Sequence, residues 1–111
     1  MILERSTVDS FGTVVSKKRR EKLISQKELA ASIKKEDGSA ISPQYLNDIE
    51  RDRRNPPPEY IIKQLAQKLE LSEDLLFFLA GKLPENLRDD YSEEQVEAAM
   101  KAFRKKLKEV P

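Results

Sequence analysis

The chain has 111 residues and a mass of 12.8 kDa, enough for one small domain or a domain with an appendage. It carries 21 Lys+Arg against 20 Asp+Glu, a net charge of +1, and 38% hydrophobic residues, which support a modest core. Cysteine is absent, which excludes disulfides and cysteine-based zinc or redox chemistry. Histidine is absent too, removing the commonest metal ligand and general base. No apolar run approaches the roughly 20 residues of a membrane helix. The opening MILERSTVDS lacks a basic leader followed by an apolar stretch, so no secretory signal is expected. The composition therefore leads us to expect a soluble, cytoplasmic binding protein without metal or cofactor, not an enzyme.

The pattern is all-helical, with only three Gly and no alternating β-branched run. Residues 1–10 read as an N-terminal arm. A first helix is predicted from Phe11 to about Leu23, capped by Asp9 or Ser10, with Phe11, Val14, Val15 and Leu23 inward. Ser25-Gln26-Lys27-Glu28 has capping-box form and opens a second helix to about Ile33, with Leu29, Ala30 and Ile33 on one face. Lys34–Ala40 is a turn built around Asp37-Gly38. Ser42 as N-cap and Pro43 at the first helical position start a third helix to about Asp52, with Leu46 and Ile49 inward. Asn55 and three prolines end it.

A fourth helix, Glu59 to about Leu69, buries Ile61, Ile62, Leu65, Ala66 and Leu69. A fifth starts at Ser72, carries Leu75, Leu76, Phe78 and Leu79, and stops near Gly81. A polar connector follows over 84–91. Ser92-Glu93-Glu94-Gln95 is a second capping box, opening a last helix to about Glu109. Val96, Ala99, Met100, Phe103 and Leu107 form one apolar stripe on it.

Charge is segregated along the chain. Residues 17–22, KKRREK, hold five cations and one anion, and residues 51–54, RDRR, hold three and one. Residues 70–97 hold nine acids against two bases, and residues 101–108 are basic again. The basic runs are either solvated helix faces or a surface for a polyanion.

The second and third predicted helices follow closely, in a helix-turn-helix layout. Small Ala30 lets them cross at close range. The outward face of the third carries Gln44, Tyr45, Asn47, Asp48 and Arg51. Gln and Asn amides pair bidentately with adenine edges in the major groove. Arg51, Arg53 and Arg54 follow where phosphates would lie. Asp48 would repel phosphates unless it accepts from a cytosine amino group or is neutralised by Arg51.

FGTVVSKKRREKLISQKELAASI, ISPQYLNDIERDRRNPP and IIKQLAQKLELSEDLLFFLAGKLP together resemble the Cro and lambda-repressor type of helix-turn-helix protein, the XRE family. The resemblance spans residues 11 to about 84, and Ser42–Pro56 is its most specific part. It implies a five-helix DNA-binding domain over 11–84, with 85–111 as connector and extra C-terminal helix. It implies that Gln44, Tyr45, Asn47 and Asp48 lie at or beside the base-reading face. Pro43 takes another position that is often base-reading, where it has no donor. Gln26 matches a phosphate-contacting glutamine, with Lys27 beside it, and Arg19 and Glu50 match an internal ion pair. Two departures stand out. Lys34–Ala40 replaces a single glycine and must loop out if Ile33 and Ile41 are to keep core positions. Lys18 sits where leucine is common, and its stem can snorkel.

The expected function is a sequence-specific double-stranded DNA-binding transcriptional repressor. It would act as a homodimer on a pseudo-palindromic operator, with Val96, Met100, Phe103 and Leu107 dimerising, and without a membrane partner. The alternative is a protein-interaction module, antitoxin or adaptor, gripping its partner through the acidic belt or the last helix.

Overall fold

The computed structural model describes residues 9–88 and 90–111, so the expected arm lies outside it except for Asp9 and Ser10. The fold is all-α. Among the described residues six helices run in order: α1 Phe11–Glu21, α2 Gln26–Ser32, α3 Pro43–Glu50, α4 Glu59–Leu69, α5 Glu73–Leu79 and α6 Glu93–Glu109. A 3₁₀ turn, Glu85–Leu87, interrupts the connector before α6.

Local chemistry explains most of the starts. The hydroxyls of Ser10, Ser25, Ser42, Ser72 and Ser92 each accept the amide three residues on, satisfying a donor that the first turn leaves open. The boxes at Ser25–Glu28 and Ser92–Gln95 are both closed.

Four stops share one geometry. After α1, Ile24 N–H donates to Arg19 O and Leu23 N–H to Arg20 O, the paired bonds of a Schellman turn. The same pairing closes α3 around Asp52, α4 around Glu70 and α5 around Gly81. Each of the four residues has a positive φ: Leu23 58°, Asp52 56°, Glu70 56° and Gly81 72°. This corrects the first helix, which ends at Glu21. Leu23 is the reversal residue and is 90% exposed, not inward.

The core lies among α1–α5, with Val15, Ile33, Leu46, Ile62, Leu65, Leu69 and Leu76 fully buried. The fifth helix is rotated from the predicted face. Leu76 and Phe77 are buried, whereas Leu75 and Phe78 stand at the surface. Burial follows the side of the short helix that meets α4. The Lys34–Ala40 segment loops out as a small hairpin: Ile41 N–H donates to Ile33 O at 3.0 Å and Lys35 N–H to Ser39 O at 2.7 Å. Gln64 of α4 grips its base, accepting from Lys34 N–H at 2.7 Å and donating to Lys34 O at 2.8 Å. Ile33 and Ile41 both keep their core positions.

The last helix differs from the rest. None of its residues is buried. It touches the body through Phe103, whose ring centroid lies 6.1 Å from that of Phe78.

Candidate nucleic-acid interface

The site is built on α3. Its inner side is held by packing and by a polar network. Leu46 and Ile49 enter the core, Ala30 of α2 is fully buried, and α2 packs against α3. Glu50 receives Arg19 in a fork: Nε to Oε2 at 2.7 Å and Nη2 to Oε1 at 2.9 Å. The Glu50 side chain is 3% exposed and that of Arg19 11%. Hydrogen bonding to Glu50 raises the Arg19 pKa above its ordinary value, so the guanidinium is charged throughout the working range. Arg19 Nη1 also donates to Ile24 O at 2.9 Å, using the turn that Leu23 makes. The ion pair implied by the resemblance is thus present, and it ties α1 to α3.

Gln26, the first residue of α2, joins this network. Its Nε2 donates to Glu50 Oε1 at 3.0 Å and to Asn47 Oδ1 at 3.1 Å. Its side chain therefore spans from the buried pair to the helix surface. Asn47 is half-buried as a result.

The start of α1 is pressed onto the end of α3. A Cβ at Gly12 would lie 2.4 Å from Ile49 O and 2.6 Å from Glu50 O, so only glycine fits. Asp52 completes the seam: Gly12 N–H donates to its Oδ1 at 2.9 Å and the Ser10 hydroxyl to its Oδ2 at 2.5 Å. Neither residue was singled out from the sequence.

The outer side is open. Gln44 is exposed and donates through Nε2 to Asp48 Oδ1 at 3.0 Å. Arg54 Nε donates to Asp48 Oδ2 at 3.1 Å, and Arg53 Nη1 lies 4.0 Å from Asp48 Oδ1. Arg54 also stands over the Tyr45 ring, 5.4 Å from its centroid. Burial raises the Tyr45 pKa, so its phenol stays a neutral donor and acceptor. Gln44, Tyr45, Asp48 and Arg54 are therefore one patch. Asp48 is neutralised by Arg54 and Arg53, not by Arg51. The reversal at Asp52 sends the chain back, with Arg53 N–H donating to Asp48 O at 2.9 Å. Arg51 caps α3 and is exposed, as is Lys27.

The KKRREK run is mostly engaged within the molecule. Lys17 pairs with Asp9 at 2.8 Å, Lys18 lies 3.7 Å from Glu21, Arg19 is in the core pair, and Lys22 pairs with Glu70. Arg20 and Lys17 are exposed. Among the described residues no group of three or more Asp and Glu side chains converges on a site that would hold a metal. Among the described residues no helix is long and apolar enough to cross a membrane.

The sequence profile described as "Helix-turn-helix" matches residues 15–76, more than half of the chain. The chain belongs to the XRE-type helix-turn-helix family. This is a family of DNA-binding regulators, not a class of enzymes. A solved structure of the SinR protein/SinI protein complex is similar at 26% identity and a TM-score of 0.51, over 88% of this chain and 91% of that one. No curated protein matches. The matched span includes α2 and α3, which are joined by the hairpin over 34–40.

Proposed function

We propose that this helix-turn-helix protein is a sequence-specific repressor that acts in the cytoplasm. It places α3 in the major groove of a pseudo-palindromic operator as a homodimer. The observation that carries this reading is the outward patch at the start of α3. There Gln44 and Asp48 stand on one face while the other face is fixed to α1 and α2 by the Arg19–Glu50–Gln26 network. A base-reading helix must be held rigidly and must present donors and acceptors on an exposed face, where their partners can be exchanged for base edges.

Gln44, Tyr45, Asn47 and Asp48 read bases. Gln44 offers a donor and an acceptor together, the combination that selects adenine. Asn47 spends its oxygen on Gln26 and keeps its NH₂ for an acceptor. Asp48 is shielded by Arg54 in the free protein. On DNA the guanidinium transfers to a phosphate, leaving the carboxylate to accept from cytosine. Arg51, Arg53, Arg54 and Lys27 supply phosphate contacts. Gln26, whose two amide hydrogens are spent on Glu50 and Asn47, meets a phosphate through its backbone N–H at the start of α2, not through its side chain. The net charge of +1 fits few such contacts and modest non-specific binding.

Dimerisation uses Val96, Met100, Phe103 and Leu107, which are 42–57% exposed. A second reading has one supporting observation. The similar solved structure is a complex of two different proteins, and the same exposed stripe here would serve a protein partner.

Selection of bound sequences from a random DNA pool tests the proposal. The expected result is a symmetric consensus with half-sites about one helical turn apart. A pool that shows no enrichment, or an asymmetric site, would overturn it.

A further inference from the structure

The C-terminal helix carries more information than its apolar stripe. Its residues Val96, Met100, Phe103 and Leu107 follow one another at spacings of four, three and four. That is the spacing a two-stranded coiled-coil seam uses, and in such a register the four residues take alternating d and a positions. All four are at least 42% exposed, and Val96 and Met100 line an open groove facing Leu83, Leu87 and Tyr91 of the connector.

Charge on α6 is divided along its length. Glu93, Glu94 and Glu97 occupy the first half. Lys101, Arg104, Lys105, Lys106 and Lys108 occupy the second, with Glu109 after them. In the register set by the stripe, Glu97 and Arg104 are the two e positions and flank the seam on one side. Among the described residues neither has an ion-pair partner within its own chain, whereas Lys105 lies 4.0 Å from Glu109.

We infer that α6 pairs with α6 of a second copy in antiparallel orientation, with Glu97 of each chain facing Arg104 of the partner subunit across the seam. This rests on the dimeric reading above and adds its geometry. In an antiparallel coiled coil, e positions face e positions, so the two-fold axis produces the Glu97–Arg104 pair twice. The acidic half of each helix then lies on the basic half of the other. A parallel pair would set acidic half against acidic half and bring no opposite charges together at the e and g positions. Charges flanking a seam set partner choice and orientation. Here they select an identical chain running the other way.

The test uses the full chain and three samples: Glu97→Arg, Arg104→Glu, and the two mixed. Each variant alone turns both contacts into like-charge pairs. Each should weaken dimerisation at least about tenfold in sedimentation equilibrium at low salt. Mixed in equal amounts, they restore both pairs and should form a one-to-one heterodimer near wild-type affinity. High salt should shrink the difference. Both positions are exposed, so circular dichroism should report an unchanged fold. If the wild-type protein is monomeric at tens of micromolar, the dimeric reading itself fails. If the wild-type protein is dimeric but single variants dimerise normally, or their mixture gains nothing, the antiparallel register fails while the dimer stands.

Discussion

Two carboxylates on α3 make ion pairs with arginine, and they sit on opposite sides of the helix. Glu50 and Arg19 are 3% and 11% exposed, share two short hydrogen bonds, and receive a third from Gln26. Asp48 and Arg54 are 14% and 57% exposed and share one bond at 3.1 Å. The chemistry is the same and the environment is not. Water screens the outer pair, so exchanging a carboxylate for a phosphate costs little there. The inner pair has no such alternative, since removing either partner leaves a charge buried and unmatched. The inner side fixes where α3 points, and the outer side remains available to a ligand.

The largest expected effect is on the inner side. Glu50→Ala or Arg19→Ala should destabilise the protein by about 3–5 kcal/mol in thermal or urea unfolding. Glu50→Gln, which keeps the shape, should also lose stability, because the Arg19 charge goes unmatched. A loss of under about 1 kcal/mol would place the inner pair in the same class as the outer one.

Gly12→Ala acts on the same side through backbone. The new methyl meets Ile49 O and Glu50 O, so α1 must shift from α3, at about 1–3 kcal/mol. An unchanged melting temperature would show that the seam yields freely. On the outer side, Asp48→Asn should change stability by less than about 1 kcal/mol. It should strengthen binding to arbitrary DNA, because a carboxylate near phosphates is gone. Weakened binding to all sequences would contradict the shielding role given to Arg54.

Leu23→Gly sharpens the comparison from the turn that delivers Ile24 O to Arg19. The side chain is 90% exposed at φ 58°, so glycine relieves strain and loses little packing. A gain of about 0.5–1 kcal/mol is expected in chemical denaturation, and a loss would mean that the leucine packs in solution.

The smallest effect is on pH. Glu28, Glu59 and Glu70 have lowered pKa values, from the Ser25 amide and hydroxyl, from Arg88 and from Lys22 in turn. A depressed carboxylate stabilises the fold above its unfolded pKa, about 4.3, and that contribution is lost as pH falls through the folded value. Melting temperature should be flat from pH 6 to 8, where the chain has no histidine to titrate, and fall below about pH 4. A transition near pH 6.5 would contradict this.

Helix starts were legible because serine, proline and the capping boxes act locally. The body's apolar faces were legible from periodicity in α2, α3 and α4. The stops were harder. Gly81 announces a left-handed residue, whereas Leu23, Asp52 and Glu70 adopt the same conformation without that signal. α5 is seven residues long and nearly all apolar, so periodicity does not choose between Phe77 and Phe78. The Arg19–Glu50 pair came from family likeness. Its link through Gln26 to Asn47 did not, since those partners are 21 or more positions apart and only the crossing of α2 on α3 unites them. Arg54 displaced Arg51 as the partner of Asp48 because of the turn at Asp52, which composition does not announce.

The division of α3 into a fixed side and a reading side is tested most directly by repeating the random-pool selection with Gln44→Ala and Arg53→Ala. Gln44→Ala should lower affinity for the best site by roughly 1–3 kcal/mol and relax preference at one base pair of each half-site. Arg53→Ala should leave the consensus unchanged, weaken all sequences alike, and flatten the slope of log affinity against log salt by about one. A consensus untouched by Gln44→Ala and rewritten by Arg53→Ala would contradict the assignment.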